Sequence, residues 1–293
     1  MPGYSVMLKL LRAFGHQEWI RFIMRDKIIR LFVDPDACAS FEFEADFLGM
    51  KYKGNLNKYL DWCIYFFGAY EKQELLLLKD LIKKKEYGPV FIDVGANVGE
   101  YSLLLSQYCK EVHAFEPYDV IAGKCKEEIA LNNINNITLH QLGLGNENKE
   151  LDFYAPNKES HNTGTGSFLS IHESSNNRLY GKIKVVSADD YVEKLRLSRI
   201  DMIKIDVEGF EKYVLQGLSK TIKKYRPIIF MEYSETTARE FSSFKEFQSL
   251  FADYRISRVI YDIPCLFFFN KPAYQLISYS GEKLPANLLL EPK

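Results

Sequence analysis

The sequence predicts an α/β protein: a mostly parallel sheet with helices on both faces and antiparallel strands near its end. Three observations carry this. From residue 90, short apolar runs alternate with helical patterns, the rhythm of strands joined by crossover helices. "FIDVGANVGEYS" (91–102) reads as a strand ending in a glycine turn that opens a helix. Late in the chain "RISRVIYD", "CLFFFN" and "YQLIS" follow one another with no helix between them, which fits an antiparallel edge hairpin.

The bulk numbers bound the answer. Of 293 residues, 47% are hydrophobic and 26% charged, so the chain can bury a large core without staples. A formal net charge of −1 supplies no electrostatic footprint for nucleic acid, and no nucleic-acid partner is expected. The five cysteines, Cys38, Cys63, Cys109, Cys125 and Cys265, are odd in number and form no C-x-x-C pair. A disulfide framework or a cysteine metal site is therefore not expected. Apolar runs such as "CIYFFGAY" are too short to cross a bilayer, and no signal-peptide pattern is visible. The expected location is cytoplasmic, with a peripheral place on the inner face of a membrane as the variant.

Two domains are expected, an N-terminal extension (1–87) and a core (88–293). Residues 5–33 mix apolar and basic residues at helical spacing, with Gly15 as a break. Such a helix lies on an anionic membrane surface, or packs its apolar face on the domain or on a second subunit of a homodimer. Residues 40–53 alternate in the manner of a small strand pair. Helical segments follow to a lysine cluster at 83–85, where cations suit a helix C-terminus. The aromatics of "DWCIYFFGAYE" exceed the needs of one helix face, which points to a role in shaping the substrate site, covering the core or assembly.

In the core, strands are expected at 90–94, 112–116, 137–142, 200–206 and 227–233. Helices are expected at 99–109, 120–133, 208–224 and 243–253. "KELDFYA" and "IKVVS" flank a polar stretch, 156–182. In an open parallel sheet, ligands bind beyond the carboxyl ends of the strands. The turn after the first core strand carries Asp93, Gly95, Ala96, Asn97 and Gly99, and Glu116 ends the second strand. An acid there is placed to accept bonds from ribose hydroxyls, so the pair points to an adenosine-type ligand. A dinucleotide and S-adenosylmethionine compete. Asp93 and Glu100 would repel a pyrophosphate, whereas a sulfonium and an ammonium are favoured beside acids. A turn without ligand, with Glu100 complementing the helix dipole, is the plain alternative.

"FIDVGANVGEYS", "HAFEP", "LGLGN", "IKIDVEGFEKYVLQG" and "PIIFMEY" follow one another in the order of the FkbM-type methyltransferases, which the chain resembles over roughly 88–293. The resemblance implies the class I methyltransferase fold, Rossmann-like, with seven strands and an antiparallel last strand. It implies S-adenosylmethionine as cofactor and O-methylation of a saccharide, glycolipid or natural-product acceptor. Asp93, Gly95, Ala96, Asn97 and Gly99 match the first cofactor motif. Glu116 matches the ribose acid, followed by Pro117, and Gly143 and Leu144 fall in the adenine loop. The wider class often places an acid in that loop, and here Gln141 or backbone groups stand in its place.

Methyl transfer to an alcohol needs in-line positioning and a route for the hydroxyl proton. "KIDVEGFE" (204–211) places Asp206 and Glu208 at the end of the fourth core strand. Asp206 is the first candidate for base or hydroxyl acceptor and Glu208 the second. Alternatively the two hold a divalent cation with Glu232, or they cap the next helix. The metal-free reading is preferred, and Glu211 is read as a helix-start residue. The polar loop "KESHNTGTGSF" (158–168) is a candidate lid, with His161 as a further candidate base. His113 and His140, in strands, read as core residues. The rival functions are an NAD-dependent oxidoreductase, a nucleic-acid methyltransferase and a non-catalytic cofactor-binding scaffold. The nucleic-acid reading also lacks an Asn-Pro-Pro-aromatic tetrad.

Overall fold

The computed structural model describes residues 2–156, 166–168, 177–266, 269–281 and 286–293. The described residues form two compact units. The first holds the chain up to Leu77 together with Ile260–Gln275. The second holds the chain from Leu78 to Val259 and from Leu276 to Lys293. The division thus falls at Leu77 and not at residue 87. The first unit also takes a segment from near the C-terminus, which contiguous reading of a sequence cannot place.

The first unit contains α1 (Pro2–Gly15), α2 (Phe22–Arg30), β1 (Glu42–Phe47), β2 (Met50–Asn55), α3 (Tyr59–Phe67) and the start of α4 (Lys72–Ile82). Helix α1 ends at Gly15, as its low propensity predicts. A Cβ there would lie 2.2 Å from the Phe66 carbonyl oxygen, so the glycine also lets α1 close on α3. The buried Arg25 donates to the Gly15 carbonyl, which the end of α1 leaves open, and to the Ile20 carbonyl just before α2. Strands β1 and β2 form the expected antiparallel pair. Asp61 ties this pair to α3, accepting from Tyr52 Oη at 2.7 Å and from the Asn55 N–H at 2.8 Å. Trp62, Phe66 and Phe67 join Leu8, Ile29 and Leu56 in this unit's own core, which accounts for several aromatics of "DWCIYFFGAYE".

The second unit runs β3 (Val90–Val94), α5 (Glu100–Ser106), β4 (Glu111–Phe115), α6 (Asp119–Leu131), β5 (Ile137–His140), β6 (Gly143–Gly145), β7 (Lys149–Pro156) and β8 (Asn177–Ser187). It continues through α7 (Ala188–Leu195), β9 (Met202–Ile205), α8 (Glu211–Gly217), α9 (Ser219–Tyr225), β10 (Ile228–Tyr233), α10 (Glu235–Glu240) and α11 (Phe244–Ser249). Strands β11 (Tyr254–Leu266) and β12 (Phe269–Ser278) cross the division, and β13 (Ala286–Pro292) ends the fold.

The main sheet has the order β12-β11-β13-β10-β9-β3-β4-β5. Strands β10, β9, β3, β4 and β5 pair in parallel, and β13 enters antiparallel between β10 and β11. Eight strands replace the seven expected, while the reversed last strand is as expected. The run "RISRVIYD" lies within β11, while "CLFFFN" divides between the end of β11 (Cys265, Leu266) and the start of β12 (Phe269, Asn270). The described pairing of β11 with β13 runs from Tyr254 to Arg258. A second sheet, β6-β8-β7, holds the "KELDFYA" and "IKVVS" strands. The expected helix 208–224 is two helices meeting at Leu218, and α7 and α10 were not anticipated. Ile92, Val94, Ile203, Ile205, Ile229 and Met231 of the central strands anchor the core. No helix among the described residues is long and apolar enough to cross a membrane.

Candidate active site at the carboxyl ends of the central strands

The turn after β3 is closed by its own backbone. The N–H groups of Gly95 and Ala96 both donate to the Phe115 carbonyl at 3.0 Å, and that of Asn97 to Glu116 Oε2 at 2.9 Å. Val98 N–H donates to Asn97 Oδ1 and Gly99 N–H to the Ala96 carbonyl, each at 2.9 Å. Asn97 takes a left-handed φ of 53°, which asparagine tolerates better than most residues. Gly95 has φ 80°, and a Cβ on it would stand 1.8 Å from the Asp206 carbonyl oxygen. The close approach that this glycine permits is therefore to the end of β9 within the chain itself. At Gly99 a Cβ would stand 2.6 Å from Cys125 Sγ, so that glycine seats α5 against α6.

Glu116 is buried at the end of β4. Oε1 accepts from the Tyr118 N–H and Oε2 from the Asn97 N–H, both at 2.9 Å. Each oxygen retains a further lone pair for a ligand donor. Burial pushes its carboxyl up to about 7, against the pull of the two N–H bonds. Pro117, between the two bonded residues, is half-buried.

Asp93 is wholly buried, with Oδ2 accepting from Ser102 Oγ at 2.7 Å. Burial raises its pKa, and Lys204 opposes the rise. Lys204, 3% exposed, is the register partner of Asp93 across β3 and β9. Its Nζ stands 3.9 Å from Asp93 Oδ1 and 3.1 Å from Asp206 Oδ2, and donates to the Gly95 carbonyl at 3.0 Å. It also sits 4.9 Å from the centre of the Tyr101 ring. The sequence reading passed over Lys204. The signal was a lysine in the middle of an apolar strand, which must find an acid when buried.

Beyond Asp206 the chain turns through Glu208, whose φ is 52°. Burial first, then Asp206, Glu232 and Glu211, push the Glu208 carboxyl up to about 8. Glu211 clamps this turn. Its Oε1 accepts from the N–H groups of Val207 (2.9 Å) and Gly209 (3.3 Å), and its Oε2 from Thr237 Oγ1 at 2.6 Å. That is the helix-start role expected for it. Carboxylate oxygens of Asp206, Glu211 and Glu232 all lie within 4.8 Å of one another.

His161 lies outside the described residues, as does most of its loop. The loop's end returns to the turn, where Ser167 Oγ donates to the Glu208 carbonyl at 2.8 Å. Gly143 lies in β6, and the Leu144 side chain packs in the main core, so a ligand near Leu144 would meet backbone. His113 and His140 form a chain, His113 Nδ1 to His140 Nε2 at 3.1 Å and His140 Nδ1 to Tyr191 Oη at 3.0 Å. Burial lowers both, His140 to about 4, so they are neutral side chains of the interior. The described cysteines Cys38, Cys63, Cys109 and Cys125 are free. In the first unit, a separate cavity of about 340 Å³ is walled largely by Phe22, Tyr59, Phe67, Tyr70 and Tyr261, with Lys72 beside them.

A parallel sheet with a reversed last strand, a glycine turn after its central strand and an acid ending the neighbouring strand is the methyltransferase fold that the resemblance implied. The profile of the family described as Methyltransferase FkbM domain matches residues 93–256, more than half of the chain. The chain belongs to that family. It is 28% identical over 158 residues to the 2-O-methyltransferase NoeI of Sinorhizobium fredii, covering 50% of this chain and 64% of that protein. It is 26% identical over 153 residues to the hexuronic acid methyltransferase AglP of Haloferax volcanii, covering 52% and 59%. The chain thus spans under two thirds of the length of these relatives. Among solved structures, the methyltransferase FkbM of Methylobacillus flagellatus is similar at 16% identity and a TM-score of 0.44, covering 69% of this chain and 43% of that one.

Proposed function

We propose that this protein transfers a methyl group from S-adenosylmethionine to a hydroxyl of a saccharide or related natural product. The observation that carries the cofactor is the closed turn. Every N–H from Gly95 to Gly99 is bonded within the chain, so the turn offers no donor cradle to a pyrophosphate. The carboxylates of Asp93, Glu116 and Asp206 lie around it, which suits a cationic ligand without phosphate. Calorimetric titration with S-adenosylmethionine, its demethylated product and NAD tests this. Binding of NAD alone would overturn it.

Bound S-adenosylmethionine supplies a methyl group on a positively charged sulfur. Glu116 accepts the ribose hydroxyls, and Asp93 and Lys204 hold the shape of the turn. Glu208 takes the proton of the acceptor hydroxyl, since a carboxyl near 8 is a stronger base than an ordinary one and lies close to working pH. Asp206, partly exposed and held by Lys204, accepts the hydroxyl hydrogen bond and orients the nucleophile. His161 remains a further candidate base. The metal-free form is favoured, because the oxygens of Glu211 already accept from two N–H groups and a hydroxyl. The saccharide class is supported by the names of the two relatives, a 2-O-methyltransferase and a hexuronic acid methyltransferase.

A further inference from the structure

Helix α2 carries its apolar residues on both faces. Residues follow one another at about 100° around a helix. Ile23, Lys27, Leu31, Met24, Ile28 and Phe32 therefore succeed one another around one half of its surface. Leu31 and Phe32 lie past its last residue but continue its turn, through N–H bonds to the Lys27 and Ile29 carbonyls. This half faces outward: Ile23 is 58% exposed, Leu31 81% and Phe32 60%. The opposite half holds the buried Arg25 and Ile29. A surface helix ordinarily turns its apolar stripe inward and its polar residues out. Here the outward half has five apolar residues and one lysine. Trp19, 52% exposed, lies just before α2 with its ring stacked on that of Phe269.

The acids near this face are held in ion pairs, Asp34 and Asp36, just past Phe32, with Arg30. Glu18 and Asp26, the only acids among residues 5–33, are already paired with Lys72 and Arg30. Lys9, Arg21 and Lys27 enter no ion pair among the described residues. We propose that this face docks on an anionic lipid surface. Trp19, Ile23, Leu31 and Phe32 enter the headgroup boundary, and Arg21 and Lys27 meet lipid phosphates. A second copy of this chain is the competing occupant. Isologous pairing of this face would bring the same cations of both copies together, whereas anionic headgroups complement them. The inference is independent of the methyl-transfer reading.

The test is flotation of the full chain with vesicles of phosphatidylcholine alone and of phosphatidylcholine mixed with phosphatidylglycerol. Binding is expected to the mixed vesicles, with weakening as salt is raised. The double variant Leu31→Asp/Phe32→Asp should lower the partition constant by on the order of tenfold or more, since both apolar contacts are lost. Both side chains are exposed, so unfolding curves should stay unchanged. A second readout needs no variant. The chain has two tryptophans, and Trp62 is fully buried, so a vesicle-induced blue shift of emission reports Trp19. Three outcomes overturn the proposal: no binding and no blue shift with mixed vesicles, equal partition of the double variant and wild type, or a dimer in solution that the double variant abolishes while vesicles leave it unbound.

Discussion

Lys204 Nζ stands 3.1 Å from Asp206 Oδ2, a buried cation against the carboxylate proposed to orient the acceptor. The same ammonium faces the wholly buried Asp93. Lys204→Met should leave Asp93 without its cation and destabilise the fold by about 3–5 kcal/mol, the usual cost of breaking a buried pair from one side. Adding Asp93→Asn should recover part of this, because the amide oxygen still accepts from Ser102. Urea unfolding of the two single variants and the double variant measures the coupling. Strictly additive losses would show that the pair is not a unit.

Cofactor affinity should depend on pH through Glu116. Its carboxyl is raised to about 7 in the free protein. Ribose hydroxyls donate to the carboxylate form, so the value falls on binding. Affinity for S-adenosylmethionine should therefore climb as pH rises toward 7 and level off above it. Glu116→Gln should weaken binding by roughly 1–3 kcal/mol and flatten that slope. Glutamine keeps its amide oxygen for one of the two N–H groups, Asn97 or Tyr118, where alanine would strand both. An unaltered pH slope in the glutamine variant, seen by calorimetry, would count against the assignment.

Gly95 is expected to matter to folding before binding. Its Cβ would collide with the Asp206 carbonyl, a backbone atom, at a left-handed φ. Gly95→Ala should cost roughly 2–5 kcal/mol of stability. Gly123, in α6, has nothing within 4 Å of its Cβ position. Gly123→Ala should instead stabilise by about 0.5–1 kcal/mol. Thermal unfolding of both decides whether the turn is packed as described; equal stability of the two variants would contradict it.

Turnover should separate the two carboxylates from the cofactor site. Glu208→Gln should retain cofactor affinity while single-turnover methyl transfer falls by roughly 10²–10⁴, the range for a lost general base. The wild-type rate should rise with pH and level off above about 8. Asp206→Asn should also lower the rate, and a chelator should have no effect. Uronic acid glycosides are the first acceptors to try. Loss of activity with chelator and recovery with magnesium or manganese would instead give Asp206, Glu211 and Glu232 a metal role.

Much of the second unit was legible because its signals are local. The central strands are apolar runs bounded by turn residues, and the segments "FIDVGANVGEYS", "HAFEP" and "KIDVEGFE" announce what stands at their ends. The expected break at Gly15 and the strand pair at 40–53 also depend only on near neighbours, and both are present. The late strands were harder. "RISRVIYD" and "CLFFFN" read as separate runs with Pro264 between them, yet β11 continues through Pro264 to Leu266.

The sequence by itself determined the class of fold, the family and the residue types gathered at the end of the sheet. Periodicity and motif order are carried by consecutive residues. Tertiary structure alone decided who meets whom. Strand register sets Lys204 opposite Asp93, and the turn after β9 brings the Asp206 carbonyl against Gly95. Residues 260–275 join the first unit across more than half the chain. Burial then sets the chemistry: the same residue type, glutamate, becomes a turn clamp at Glu211 and a group near 8 at Glu208, because their surroundings differ. Such differences come from contacts between residues distant in sequence, which local pattern does not encode.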